Sequence, residues 1–117
     1  MKGINDMKGD LEVAMLTDLG RCKQFTRMAE IAPTLEYLQH HIDHLHLYMK
    51  DVHADPPIIF SPCTSFVRYE PLGVALIMGS WNFPYFVTLK PLISAIASGN
   101  CALIKPSELS PATAACM

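Results

Sequence analysis

Apolar residues recur at alternating intervals of three and four across the first half of the chain. The stripe consists of Met28, Ile31, Leu35, Leu38, Ile42, Leu45 and Met49. This spacing predicts one long amphipathic helix, and because the stripe keeps its phase across Pro33, it predicts a helix entered or kinked there. An earlier helix is expected over residues 11–17, with Asp10 as its cap and Gly20 after its end.

The pattern changes between Asp51 and Pro57, after which short runs of strand-forming residues replace the helical spacing. Two such runs, at 58–60 and 65–70, are separated by the turn-prone sequence SPCT. They predict an antiparallel pair or two exposed strands.

The second half reads as strand, helix and strand. An uninterrupted apolar run at 73–79 predicts a strand buried on both faces of a parallel sheet. A turn follows at 80–84, a helix is expected over 85–98 and a second strand over 101–105. Ser110 and Pro111 then predict the start of a further helix over 112–117.

This order indicates two parallel strands joined by a right-handed crossover. The fold class is therefore α/β: N-terminal helices, short β-strands, then the first β-α-β unit of an incomplete Rossmann-like domain. The expected segments are a helical part at 1–55, short strands at 56–71 that could bridge or oligomerise, and the start of a nucleotide-binding domain at 72–117. Asn82, Lys105, Ser107 and Glu108 would follow the carboxyl ends of the two strands, the edge where open α/β sheets bind ligands.

Composition excludes several classes of protein. The 117 residues are 50% hydrophobic with a net charge of only -2, which excludes intrinsic disorder and gives no positive field for nucleic acid. The longest uncharged run, 71–89, is broken by glycine, asparagine and proline, which argues against a membrane span. The four cysteines lie far apart, without a Cys-x-x-Cys pair or a signal peptide, which favours a cytoplasmic protein with reduced thiols.

The candidate residues also have structural interpretations. Asn82 could only hold its turn, Lys105 and Glu108 could be a solvated ion pair, and Trp81 could be a packing residue. Neither G-x-G-x-x-G nor the Walker motif occurs, so the glycines do not indicate a nucleotide site. No metal site is expected, because the helical pair His40 and His44 has no apparent third ligand.

The sequence EPLGVALIMGSWNFP at 70–84 closely resembles the aldehyde dehydrogenase superfamily, in which an E-P-x-G-V strand runs into a W-N-[FY]-P turn. The resemblance continues through KPLISAIASGN at 90–100 and KPSE at 105–108. The N-terminal half, with DLGR at 18–21, is similar to the class 3 branch, which includes fatty-aldehyde dehydrogenases.

The resemblance implies a role for each matching residue. Asn82 corresponds to the asparagine whose amide stabilises the oxyanion during catalysis. Lys105 and Glu108 correspond to the pair that holds the adenosine ribose of NAD or NADP, with Ser107 between them. The segment along the cofactor corresponds to Met78, Gly79, Ser80 and Trp81.

The implied reaction is the oxidation of an aldehyde to a carboxylic acid with NAD, or alternatively NADP, in an enzyme that is a homodimer when full-length. The family's nucleophilic cysteine lies in a G-Q-x-C-type motif and its general-base glutamate in an E-L-G-G-K-type motif, and neither occurs here. The resemblance thus covers roughly the first quarter of a family member. It leaves membrane association open, because the class 3 members that bind membranes do so through C-terminal tails.

Three hypotheses follow. The first is an N-terminal portion of a class 3-like aldehyde dehydrogenase, a fragment that is inactive by itself. The second is a non-catalytic short form that acts as an interaction module with full-length subunits. The third is another branch of the superfamily, such as a semialdehyde dehydrogenase.

Overall fold

The computed structural model describes residues 2–117; Met1, the first residue of the predicted helical segment, lies outside them. The N-terminal half is helical. Its elements are α1 (Lys2–Asp6), α2 (Lys8–Leu19), α3 (Lys23–Thr26), one turn of π-helix (Arg27–Ile31) and α4 (Ala32–Tyr48). None of the helices within residues 2–117 combines the length and apolar character needed to cross a bilayer.

The first predicted helix is longer than its pattern indicated. It begins at Lys8, so Asp10 lies within its first turn, and the cap position that was assigned to Asp10 belongs to Met7. Its end is confirmed: Gly20 has a φ of 64°, a left-handed conformation that glycine adopts without steric cost.

The predicted stripe enters α4 through the π-helical turn, and Pro33 lies at the junction between that turn and α4. Only one residue of the stripe, Ile31, is buried, and the first residue of the stripe, Met28, is 69% exposed. Ile31 is 2% exposed, whereas Ile42 and Met49 are 53% and 76% exposed. The C-terminal end of α4 therefore leaves much of its apolar face uncovered.

The hairpin differs from its prediction. Residues 58–60 form a turn of 3-10 helix, and the strand that pairs with β2 (Ser65–Val67) is β1 (Val52–Ala54), within the segment assigned to helices. The pairing is antiparallel, with Val52 opposite Val67. Residues 68–70 lie outside β2, so the predicted run was also too long.

Local hydrogen bonds explain this error. The backbone N–H groups of Phe60 and Ser61 donate to Pro57 and Ile58 carbonyls at 2.9 and 3.1 Å. Two consecutive prolines before Ile58 provide no N–H for a sheet ladder, so this short apolar run turns instead of extending.

The β-α-β unit is confirmed. Strand β3 (Val74–Met78) lies parallel to β4 (Cys101–Lys105), and α5 (Pro84–Ala97) connects them. Helix α5 matches the predicted 85–98 within one residue at each end, and β4 matches its prediction at both ends. Helix α6 (Pro111–Ala115) is shorter than predicted.

Strand β3 was expected to be buried on both faces, and this expectation is wrong. Ile77 is 6% exposed, but Val74 and Leu76 are 76% and 60% exposed. Successive side chains point to opposite faces of a strand, and within residues 2–117 only one face of the two-stranded sheet is covered, by α5.

The core lies between the N-terminal helices and α5. Its fully or almost fully buried members are Leu11, Met15, Ile31 and Tyr85. Partly buried side chains pack around them: Ile4, Leu19, Leu35, Leu89 and Cys116. Because Tyr85 lies in the first turn of α5, this core fixes the start of α5, and with it the turn that follows β3, against the helical layer.

Candidate functional site

The carboxyl ends of β3 and β4 meet at one edge of the sheet. Met78 lies opposite Lys105 in the parallel register, and the N–H of Gly79 donates to the Lys105 carbonyl at 2.9 Å. The ladder thus continues one residue beyond β3. Two of the predicted site segments, the turn after β3 and the turn after β4, therefore begin side by side.

Gly79 is required by a close approach. A Cβ at this position would lie 2.1 Å from the hydroxyl oxygen of Thr88, far inside van der Waals contact. Thr88 is fully buried, and its hydroxyl donates to the Pro84 carbonyl at 2.6 Å. The turn after β3 therefore packs closely against the N-terminal part of α5.

Asn82 lies exposed on this turn with a defined side-chain orientation. The Ser80 hydroxyl donates to the Asn82 side-chain oxygen at 2.7 Å. This hydrogen bond engages the amide oxygen, and the amide N–H groups make no hydrogen bond to another of the described residues, so they can donate to another molecule. Trp81, between these two residues, is 52% exposed and does not belong to the core.

An arginine that sequence reasoning missed holds the same turn. Arg21 donates through Nη1 to Glu30 Oε1 at 2.6 Å and through Nη2 to the backbone carbonyl of Asn82. Its guanidinium also lies 4.6 Å from the ring centroid of Phe83 and 5.1 Å from that of Phe25. One planar guanidinium thus joins the helical layer to the turn by hydrogen bonds and cation–π contacts.

Glu30 is the second missed residue. Its side chain is fully buried in the π-helical turn, and Oε2 accepts a hydrogen bond from the Phe86 N–H at 2.8 Å. Burial raises the pKa of Glu30, and the Phe86 N–H and the charge of Arg21 act in the opposite direction. Through its hydrogen bond to Phe86, the Glu30 side chain satisfies one of the backbone N–H groups at the start of α5 that have no partner within the helix.

Lys105 and Glu108 form an exposed ion pair beyond β4, with 2.7 Å between Nζ and Oε2. The hydrogen bond from Lys105 is the main cause that lowers the pKa of Glu108. Ser107, between them, is buried, and its hydroxyl accepts a hydrogen bond from the Leu109 N–H at 3.2 Å. Ser107 therefore holds the turn, while the two charged groups face outward.

Geometry brings most of the predicted site residues to one edge. Met78 and Gly79 lie beside Lys105, Ser80 contacts Asn82, and Lys105 contacts Glu108. Arg21 and Glu30 carry no local signal, because they lie 61 positions from Asn82 and 56 from Phe86. Only the turn motif DLGR, in which Arg21 follows the end of α2, marks this region at all.

A groove lies elsewhere on the described residues. It has a volume of about 940 Å³ and lies between the end of α4, residues 68–72 and the end of α5. Gly99 and Asn100, which precede β4, line it, so it lies toward the amino end of the strands and away from Asn82. Its walls are mainly apolar.

Residues 2–117 contain no group of three or more side chains arranged to bind a metal ion. The rings of His40 and His44 stack at a centroid distance of 4.2 Å on α4. Nδ1 of His44 lies 2.8 Å from the His40 carbonyl, so this nitrogen is engaged with the helix backbone.

Comparison with known proteins assigns the chain to one family. The sequence profile of the aldehyde dehydrogenase family matches residues 2–117. The chain therefore belongs to the aldehyde dehydrogenase family, and its relatives include several family 3 members, in agreement with the class 3 resemblance.

Three proteins that are similar to this chain illustrate its membership of the family. A 4,4'-diaponeurosporen-aldehyde dehydrogenase from Staphylococcus aureus is 38% identical over 110 residues, which are 94% of this chain and 24% of that protein. Aldehyde dehydrogenase family 3 comG from Dictyostelium discoideum is 39% identical over 92% of this chain and 23% of its own length. A solved structure, described as the substrate-bound state of Staphylococcus aureus AldH, superimposes with a TM-score of 0.95 at 37% identity, covering 98% of this chain and 25% of that one.

The chain thus spans about a quarter of the length of the relatives it matches. The β-α-β unit and the helical layer of this chain constitute part of an aldehyde dehydrogenase fold.

Proposed function

We propose that this chain is the oxyanion- and ribose-binding part of an NAD(P)-dependent aldehyde dehydrogenase that converts aldehydes to carboxylic acids. The observation that carries the proposal is the shared edge: the oriented amide of Asn82 follows β3, and the Lys105–Glu108 pair follows the adjacent β4.

Asn82 would act on the substrate. Addition of a thiolate to an aldehyde places negative charge on the carbonyl oxygen, and an amide N–H that is already oriented stabilises that charge without reorganisation. Ser80 supports this role because its hydroxyl occupies the side-chain oxygen of Asn82 and fixes which end of the amide faces outward.

Lys105 and Glu108 have the chemistry to hold a ribose. An ammonium group donates hydrogen bonds and a carboxylate accepts them, so the pair fits the two hydroxyls of the adenosine ribose of NAD(P). When bound, the nicotinamide would take a hydride from the substrate carbon. Glu108 would repel a 2′-phosphate and Lys105 would partly offset this, so we propose a modest preference for NAD over NADP. A 38% identical dog relative is nevertheless named NADP-preferring.

The nucleophile and the general base would come from residues outside this sequence, because the G-Q-x-C-type and E-L-G-G-K-type motifs do not occur in it. We therefore propose that the isolated 117-residue chain has no aldehyde dehydrogenase activity. NADH production by the isolated chain, abolished by substitution of one of its cysteines, would contradict this.

The decisive experiment restores the missing parts. A chimera in which residues 2–117 replace the matching segment of the S. aureus relative is assayed for NADH production with the aldehyde in that protein's name. We expect activity that falls by about 10²–10³ in Asn82→Ala. A folded chimera without activity, or with activity indifferent to Asn82→Ala, would overturn the proposal.

The groove between α4 and α5 favours a second candidate, a non-catalytic module that associates with full-length subunits. Leu47 and Met49, at the end of α4, line the groove and are 47% and 76% exposed, and such apolar surface is typical of a protein interface. Sequencing the transcript beyond the codon for Met117 separates the candidates: a reading frame that continues into a G-Q-x-C segment supports the enzyme, and a stop codon supports the module.

For the complete enzyme we propose a cytoplasmic homodimer. The cysteine pattern favours the cytoplasm, and the dog relative is named dimeric. Sedimentation of the chimera and fractionation of cells that express the natural transcript would test the two statements.

A further inference from the structure

We infer that Arg21 and Glu30 are positioning residues for Asn82, forming a buried ion pair that fixes the height and direction of the oxyanion-binding turn. This inference rests on the proposed function, because it concerns how the turn performs that role. It assigns a catalytic purpose to two residues of the helical layer that contact neither substrate nor cofactor in the proposal.

Arg21 contacts the backbone of the turn. Arg21 donates to the main-chain carbonyl of Asn82, so it holds the residue itself and leaves the side-chain amide free. Ser80 holds the other end, the side-chain oxygen. These two contacts restrict both the position of the Asn82 backbone and the rotation of its amide.

Arg21 is itself held in place by several neighbouring groups. Its side chain is only 17% exposed, and Glu30 is fully buried, so water competes little with their 2.6 Å contact. Two aromatic rings, of Phe25 and Phe83, also lie close to the guanidinium. The guanidinium is therefore fixed on several sides before it reaches Asn82.

Glu30 links Arg21 to the first turn of α5. It binds Arg21 through one oxygen and the Phe86 N–H, in the first turn of α5, through the other. The same carboxylate thus connects Arg21, which holds the backbone of Asn82, to Phe86 in the first turn of α5. Burial of a carboxylate carries a desolvation cost, and apolar side chains at this position would serve packing alone equally well.

A second ion pair in the same layer shows the difference. Arg27 Nε contacts Glu12 Oε1 at 2.5 Å, and Glu12 is buried, but Arg27 is largely exposed and has no contact with the turn. Loss of the Arg27 pair should therefore affect stability without affecting turnover. This makes Arg27→Gln the matched control for Arg21→Gln.

The test uses the chimera and measures kcat, the KM for NAD and the melting temperature. Arg21→Gln is expected to lower kcat about tenfold or more, since small displacements of a catalytic group reduce rates by this order, and to change the KM for NAD less than about twofold. Arg21→Lys, which keeps the charge but lacks the planar fork, should fold and still lower kcat. Arg27→Gln should leave kcat unchanged.

Combination with Asn82→Ala decides whether the effect passes through Asn82. If Arg21 acts by positioning, Arg21→Lys should reduce kcat in the native background and have almost no further effect in Asn82→Ala. Equal reductions in both backgrounds, or an unchanged kcat in Arg21→Lys, would overturn the inference. A chimera in which Asn82→Ala itself does not lower kcat would instead reject the proposed function, so the two failures are distinguishable.

Discussion

The carboxylate of Asp18 caps a helix that begins more than ninety residues later. Its Oδ2 accepts hydrogen bonds from the backbone N–H and the side-chain hydroxyl of Thr113, at 2.7 and 2.8 Å. Its Oδ1 accepts a third, from the Ala112 N–H at 3.2 Å. Ser110, the sequence-predicted cap, makes no side-chain cap hydrogen bond, so α2 supplies the cap of α6.

We expect Asp18→Ala to destabilise the protein by about 1–2 kcal/mol, because it leaves N–H groups at the start of α6 without an acceptor. The melting temperature of the chimera, measured by calorimetry, checks this. Asp55→Ala, a change of the same kind at an exposed position in a loop, should have little effect. Equal effects of the two substitutions would contradict the capping role.

Asn82→Ala should lower kcat of the chimera by about 10²–10³ and leave the KM for NAD nearly unchanged, because its amide acts on charge that develops only during the reaction. Steady-state kinetics at saturating aldehyde measure this. Parallel losses in cofactor binding and turnover would indicate that Asn82 only holds its turn.

Glu108→Gln should shift the preference of the chimera from NAD toward NADP, because it removes a negative charge from the position proposed for the 2′ substituent. The ratio of kcat/KM values for the two cofactors is the measurement. Glu70→Gln, an exposed glutamate before β3, is the control and should leave the ratio unchanged. If Glu108→Gln also leaves it unchanged, Glu108 does not face the ribose.

Gly79→Ala should destabilise the protein, because the new methyl group would lie 2.1 Å from the Thr88 hydroxyl oxygen. Gly9→Ala is the control: Gly9 lies in α2 with nothing within 4 Å, and alanine there should stabilise by about 0.5–1 kcal/mol. Thermal unfolding of both variants tests this. The addition of Thr88→Ala should recover part of the loss, and full independence of the two changes would be evidence against the clash.

The β1–β2 hairpin should loosen in acid. Arg68 donates to both carboxylate oxygens of Asp51 at 2.8 and 2.6 Å, and this hydrogen bonding lowers the pKa of Asp51 below its usual 3.8. The folded state therefore binds the proton less tightly, so the stabilisation is present above the unfolded pKa and is lost as the pH falls through the lowered value.

Hydrogen exchange of the hairpin amides between pH 6 and about pH 2, corrected for intrinsic exchange, measures this loss. In Asp51→Asn, the protection of the hairpin amides should be low over the whole pH range and should not depend on pH. A hairpin whose protection falls equally in both proteins would exclude Asp51 as the cause.

Sequence periodicity determined the strand–helix–strand order of the second half and, within one residue, the bounds of the β-α-β unit. The apolar run of β4, the helical spacing of α5 and the left-handed conformation of Gly20 follow from preferences that act within a few residues. The same order places the predicted site residues at one edge, since parallel strands end on the same side of a sheet.

Tertiary structure decided the rest, because those features depend on residues far apart in the chain. Burial of β3 on one face depends on which elements cover the sheet, and the pairing of β2 joins residues 65–67 to residues 52–54 across the intervening loop. The contacts of Arg21, Glu30 and Asp18 join positions 56–95 residues apart, and no periodicity records them. Buried charged side chains are brought next to their partners only when the helices pack, so the contacts that hold the turn of Asn82 could be identified only from the tertiary structure.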